Sequence, residues 1–123
     1  MLQNKAEIID RPEIKVVAGK EGILAFLSGS VDMDSSPEVR DQLLLIVRAA
    51  DPKIVSIDLS GVTQFDSSGL ATLIDALRTA RTSKTQLTLR GLQGRMLHLF
   101  ELTGILSLFN GSAEMSEPGL RKT

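Results

Sequence analysis

Four consecutive residues, Asp66-Ser67-Ser68-Gly69, concentrate the reactive groups of this chain. Two hydroxyls stand beside one carboxylate. Leu70, Leu73, Ile74 and Leu77 then follow at i, i+3, i+4, i+7 spacing, which predicts a helix beginning at or near Ser67. The first amides of a helix lack partners within it. A serine or aspartate oxygen can accept from them, and a phosphate can accept from several at once with the dipole's help. A phosphate added at this helix head would leave the fold standing. It would add about two negative charges beside Asp66. A protein docked on the same surface would then meet like charge and a bulky solvated group. That chemistry controls binding without unfolding the domain. The same four residues also make a good helix cap with no further duty, and spacing alone does not choose between the two serines.

Few other residues could do chemistry. Asp32 and Asp34 sit in a predicted loop, where aspartates also serve as turn and cap residues. The single histidine, His98, is expected on the outer face of a helix whose Met96, Leu99 and Phe100 point inward. There is no cysteine and no second histidine, so neither a catalytic triad nor a zinc site is expected. No Gly-x-x-x-x-Gly-Lys loop is present. The chain is read as a binding protein, not an enzyme, with no cofactor and no metal.

Composition narrows the partners. The 123 residues fit one domain, and 42% hydrophobic with 24% charged residues is enough to fill a core. Only 3% are aromatic and the net charge is −1, which argues against stacking platforms or an electrostatic footprint for nucleic acid. The start, Met1-Leu2-Gln3-Asn4-Lys5, lacks the apolar run of a signal peptide. No segment approaches the roughly 20 apolar residues that span a bilayer. No direct nucleic-acid binding and no membrane insertion are expected, and the expected location is cytoplasmic.

The elements that must position Asp66 to Gly69 follow from periodicity. Residues 1–12 are polar and read as a flexible N-terminal arm ending at Pro12, and 13–110 as the domain. Ile14, Val16 and Val17 start a strand, Gly19 to Gly22 is a turn, and Ile23 to Leu27 is an apolar run of strand length consistent with burial on both faces. These could form a hairpin. Gly29 to Met33 reads as a loop. Ser35-Ser36-Pro37-Glu38 starts a helix, with either serine as its cap, and the helix ends before Asp51-Pro52. Ile54 to Leu59 is a central strand and Gly61 to Asp66 a connector. After the Ser67 helix come a strand at Gln86–Arg90, a helix at Gly94–Thr103 and a last short strand at Ile105–Phe109. Residues 111–123 read as a polar C-terminal tail or short helix. Strands alternating with helices over short connections imply an α/β fold with right-handed crossovers. In such folds the loops at the C-terminal ends of the strands gather at one end. Asp32, Asp34, Asp66, Ser67 and Ser68 are therefore expected together.

At this point a family resemblance emerges. Ile54-Val55-Ser56-Ile57-Asp58-Leu59 followed by Phe65-Asp66-Ser67-Ser68-Gly69-Leu70 resembles the signature of STAS domains, specifically of bacterial anti-sigma factor antagonists. Leu27-Ser28-Gly29-Ser30-Val31-Asp32 is similar to that family's strand leading into Gly-x-x-Asp. Leu99-Phe100-Glu101-Leu102-Thr103-Gly104 is similar to its late helix ending in a Thr-Gly step. The three motifs fall in register over residues 14–109. The resemblance implies a mixed sheet of four to five strands with helices packed mainly on one face. It also implies partner switching. The unphosphorylated protein binds an anti-sigma factor that is itself an ATP-dependent serine kinase, which frees a sigma factor. The kinase phosphorylates the first serine after the aspartate, here Ser67, and a PP2C-type phosphatase reverses this. Asp32, Met33, Asp66, Ser68 and Gly69 fall where the family meets its kinase. Ser30 stands where the family usually carries Glu, and the family's C-terminal helix finds little support after Ser112.

Two other readings use the same residues. A STAS domain can serve as the docking subunit of a membrane transport system, such as a lipid ABC complex or an anion transporter. A response-regulator receiver would place its phospho-acceptor at Asp58. It would also need an acidic pair after the first strand and a lysine after a late one, and neither appears at a matching place.

Overall fold

The computed structural model describes residues 11–109. The expected arm lies outside the described residues except for Arg11 and Pro12, and the expected tail over 111–123 lies outside them entirely. The elements run β1 (Glu13–Gly19), β2 (Gly22–Val31), α1 (Ser36–Ala49), β3 (Ile54–Phe65), α2 (Ser67–Thr82), β4 (Gln86–Arg90) and α3 (Gly94–Thr103), then a 3-10 turn at Ile105–Phe109. The strands form one four-stranded sheet in the order β1-β2-β3-β4. β1 and β2 make an antiparallel hairpin closed by the Gly19–Gly22 pair. β2 with β3 and β3 with β4 are parallel, as crossovers through α1 and α2 require. This is the expected mixed α/β sheet.

The helices cover one face of the sheet. Ala25, Leu27 and Val31 of β2, Val55, Ile57 and Leu59 of β3, and Leu87 and Leu89 of β4 are buried. The alternate positions are not, which is the period-2 signature of a sheet packed on one side. The expectation that Ile23 to Leu27 is buried on both faces is therefore wrong. Phe26 points to the open face and is 37% exposed. Val39, Leu43 and Val47 of α1 and Leu70, Leu73, Ala76, Leu77 and Ala80 of α2 close the other side of the core.

Three boundaries differ from the periodicity reading. Gly29 to Val31 is not a loop but the end of β2, and Gly61 to Phe65 is not a connector but the continuation of β3. The two extensions pair with each other, Gly29 with Val62, Ser30 with Gln64 and Val31 with Phe65, across register shifts after Phe26 and Gly29. Polar, glycine-containing sequence hid a ladder that long-range pairing supplies. Ile105–Phe109 is not a strand. Gly104 stops α3 in the left-handed conformation (φ 73°). The Ser107 amide and hydroxyl then both donate to the Gly104 carbonyl, at 3.3 and 2.9 Å. Arg81 of α2 donates to the Leu108 carbonyl at 2.8 Å. A five-residue apolar run does not reveal its own period.

Candidate functional site

The extended β2–β3 ladder delivers two loops to the same end of the sheet. The Asp66 amide donates to the Val31 carbonyl at 3.4 Å, which ties the head of α2 to the end of β2. Phe65 stacks on Phe100 of α3, with ring centroids 6.1 Å apart. Gly69 sits beneath this arrangement. A Cβ there would lie 2.7 Å from Cε1 of Phe65 and 3.1 Å from Cγ1 of Val31. Glycine lets the first turn of α2 settle onto the Phe65 ring. Of the residues expected to meet a partner, Gly69 is buried and shapes the surface from below.

Asp66 is the N-cap of α2. Its Oδ1 accepts from the Ser68 amide at 2.9 Å, the Gly69 amide at 3.3 Å and the Ser68 hydroxyl at 2.6 Å. Of these, the Ser68 hydroxyl contributes most to holding the Asp66 carboxyl below the usual carboxylate range. The two adjacent serines therefore differ. Ser68 is half-buried with its hydroxyl committed to Asp66, whereas Ser67 is exposed and its hydroxyl makes no hydrogen bond within the described residues. Spacing alone could not separate them because both fit a helix head.

The second loop is organised by Asp32. Its Oδ1 accepts from the Asp34 amide at 2.9 Å, the Ser35 amide at 3.1 Å and the Ser35 hydroxyl at 3.2 Å. Ser30 donates to its Oδ2 at 3.3 Å. Led by the Ser35 amide, these bonds hold the Asp32 carboxyl below its ordinary value. Neither serine caps α1 through its side chain, contrary to expectation. The Ser35 hydroxyl lies nearer the Ser30 carbonyl, at 2.9 Å, than Asp32 Oδ1. The Asp32 carboxylate binds loop amides ahead of α1, and the Asp32 backbone carbonyl accepts from the Ser36 amide at 2.8 Å. Asp34 is exposed with no such role for its carboxylate among the described residues. Met33 projects from the loop with 72% of its surface exposed.

Between the two loops and α3 lies a groove of about 430 Å³. Its lining includes Asp32, Asp66, Val62, Phe65, Arg95 and Met96. Arg95 and its neighbour Gln93 escaped the sequence reading. The signal was present, since the head of α3 must also point to the C-terminal end of the sheet. His98 is exposed, on the outer side of α3 as expected. Among the described residues no group of three His, Cys, Asp or Glu side chains could hold a metal ion, and no helix is long and apolar enough to cross a membrane.

Comparison with known proteins agrees with this geometry. The family model described as Mlab, STAS domain, matches residues 18–109. The anti-sigma-B factor antagonist of Listeria monocytogenes is 32% identical over 94 residues, covering 74% of this chain and 82% of the relative. That of Bacillus subtilis is 28% identical over 109 residues, covering 88% and 96%. Among solved structures, an anti-sigma factor antagonist from Mycobacterium paratuberculosis superposes with a TM-score of 0.71 at 21% identity, covering 80% of this chain and 83% of that one. Unphosphorylated SpoIIAA, also an anti-sigma factor antagonist, superposes with a TM-score of 0.66 at 11% identity, covering 88% and 91%. Matched by that family model over residues 18–109 and 32% identical to the Listeria antagonist over 82% of its length, the chain belongs to the STAS domain family and, within it, to the bacterial anti-sigma factor antagonists.

Proposed function

We propose that this chain is a partner-switching antagonist whose switch is Ser67. In the unphosphorylated form it binds an anti-sigma factor that is also a serine kinase, through Met33, Asp32, Asp66 and the head of α2, and so frees a sigma factor. The kinase transfers the γ-phosphoryl group of ATP to the Ser67 oxygen. ADP departs and the hydroxyl proton is lost to a base. A PP2C-type phosphatase hydrolyses the ester and returns the binding form. The chain itself acts as substrate and ligand, not as catalyst.

The observation that carries this reading is the contrast between the serines: Ser67 is exposed and its hydroxyl makes no hydrogen bond among the described residues, and Ser68 is bound to Asp66 at 2.6 Å. A phosphate on Ser67 breaks no hydrogen bond of the fold. It also adds charge next to Asp66, at the end of the sheet that carries Asp32, both carboxyls being held below the ordinary carboxylate range. The binding surface then becomes strongly negative while its shape persists.

The test is incubation with the cognate kinase and ATP, followed by mass spectrometry of the wild type, Ser67→Ala and Ser68→Ala. One phosphate on wild type and Ser68→Ala, and none on Ser67→Ala, is the expected pattern. Ser67→Ala should retain kinase binding and Ser67→Asp should lose at least tenfold, equivalent to about 1.4 kcal/mol. A phosphate that persists in Ser67→Ala refutes the assignment. Recovery of a transport ATPase instead of a kinase as the bound partner would move the chain to the docking-subunit reading.

A further inference from the structure

The free edge of β1 carries a different property, independent of the switch. β1 pairs with β2 over its whole length without a bulge, so it presents a straight edge. The Gly19–Gly22 pair closes the hairpin by exchanging hydrogen bonds. The alternation of an antiparallel ladder then turns the backbone groups of Gly19, Val17, Lys15 and Glu13 toward β2. Those of Ile14, Val16 and Ala18 face outward. Among the described residues, none of these three forms a backbone or side-chain hydrogen bond beyond the hairpin. The strand also exposes branched apolar side chains on both faces, Val16 at 49% and Val17 at 55%. An edge of this kind is a template for another strand.

We propose that a second copy of this chain occupies the edge, β1 against β1, about a two-fold axis at Ile14. The charges select that register. Centring the axis on Ile14 sets Glu13 opposite Lys15 of the second copy, twice, on the open face of the sheet. On the helix-covered face it sets Ile14 opposite Ile14 and Val16 opposite Pro12, an apolar row. Val17 comes opposite Arg11, whose aliphatic stem can cover it. An axis at Lys15 would oppose two lysines. An axis at Val16 would leave Glu13 facing Gly19 and Lys15 facing Val17, with no charge paired. In the Ile14 register the two Ile14 residues exchange both backbone bonds. Each Val16 amide donates to the Pro12 carbonyl opposite, a pairing that does not need the amide proline lacks. The result joins two four-stranded sheets into one of eight, with the two Ser67 sites at opposite ends. One strand edge is small beside a standard interface, so the dimer is concentration-dependent.

Sedimentation velocity over a wide concentration range tests this on the full chain. The wild type should self-associate reversibly. Lys15→Glu and Glu13→Lys should each weaken association about tenfold, because attractive cross-strand pairs become repulsive. The double variant Glu13→Lys/Lys15→Glu should restore it. Val16→Pro, which removes an outward amide, should abolish it. Unchanged circular dichroism melts would show that each variant still folds. A wild type that stays monomeric at every concentration overturns the proposal, and so does a dimer indifferent to the charge reversals or not rescued by the double variant. None of these results bears on phosphorylation of Ser67.

Discussion

Replacing Gly69 by alanine isolates the contact on which the head of α2 rests. The added Cβ would sit 2.7 Å from Cε1 and 2.9 Å from Cδ1 of Phe65, and 3.1 Å from Cγ1 of Val31. Ordinary carbon contacts are about 3.5–4.0 Å, so the ring must move by close to an ångström. It cannot slide freely, because it is also stacked on the fully buried Phe100. Overpacking of this kind costs about 1–3 kcal/mol. Alanine recovers up to about 1 kcal/mol of helix propensity over glycine, and less in the first turn, so a net loss of about 1–2 kcal/mol is expected. For a domain of this size that lowers Tm by roughly 5–10 °C. Urea unfolding of Gly69→Ala, Phe65→Leu and the double variant measures both the loss and its origin. Leucine has no atom in the place of Cε1, so Gly69→Ala should cost about 1 kcal/mol less in the Phe65→Leu background. A Gly69→Ala protein as stable as the wild type would refute the packing argument. An undiminished penalty in the double variant would show that the ring is not the obstacle.

Other consequences are smaller. Asp66→Ala removes the α2 cap and should cost about 1 kcal/mol in urea unfolding. Asp66→Asn, which keeps one acceptor oxygen, should cost less. The Asp66 and Asp32 carboxyls lie below their ordinary value when folded. Their contribution to stability is therefore complete above pH 3.8 and is lost as pH falls below it. An acid series of urea midpoints should fall less steeply for the Asp66→Asn variant, and an identical slope would contradict the assignment. Arg40 of α1 bonds Asp75 of α2 at 2.9 Å, but both side chains are exposed by a third or more. Arg40→Ala should change stability by less than about 1 kcal/mol, as read from the same unfolding curves.

The helices were legible because their apolar positions repeat without ambiguity. Leu70, Leu73 and Leu77 gave α2, and Pro37 with Val39, Leu43 and Val47 gave α1. The ends of β2 and β3 were not legible, since Gly29, Ser30, Gly61 and Gln64 become strand only by pairing across the sheet. The site divides in the same way. Asp32 and Asp66 were recognisable as loop and cap residues, and the strand order brings them to one end. That α1 has no side-chain cap while Ser35 turns its hydroxyl toward Ser30 and Asp32, or that Ser68 is committed to Asp66 while Ser67 makes no side-chain hydrogen bond among the described residues, depends on side-chain directions that no local pattern encodes. Arg95 carries no motif of its own; it joins the site only because the heads of α1, α2 and α3 all lie at the same end of the sheet.

The Asp66 carboxylate that accepts from the Ser68 hydroxyl also decides where the chemistry of the neighbouring hydroxyl must come from. An acid held below its ordinary range is a poor proton acceptor. Although it stands next to Ser67 in sequence, Asp66 is ill-suited to activate that oxygen as a nucleophile. Under the proposed function the chain presents an alcohol and leaves its deprotonation to the docked kinase. In the proposed switch, spontaneous labelling by small phosphate donors is thereby disfavoured, and its timing falls to the enzymes rather than to the substrate they share.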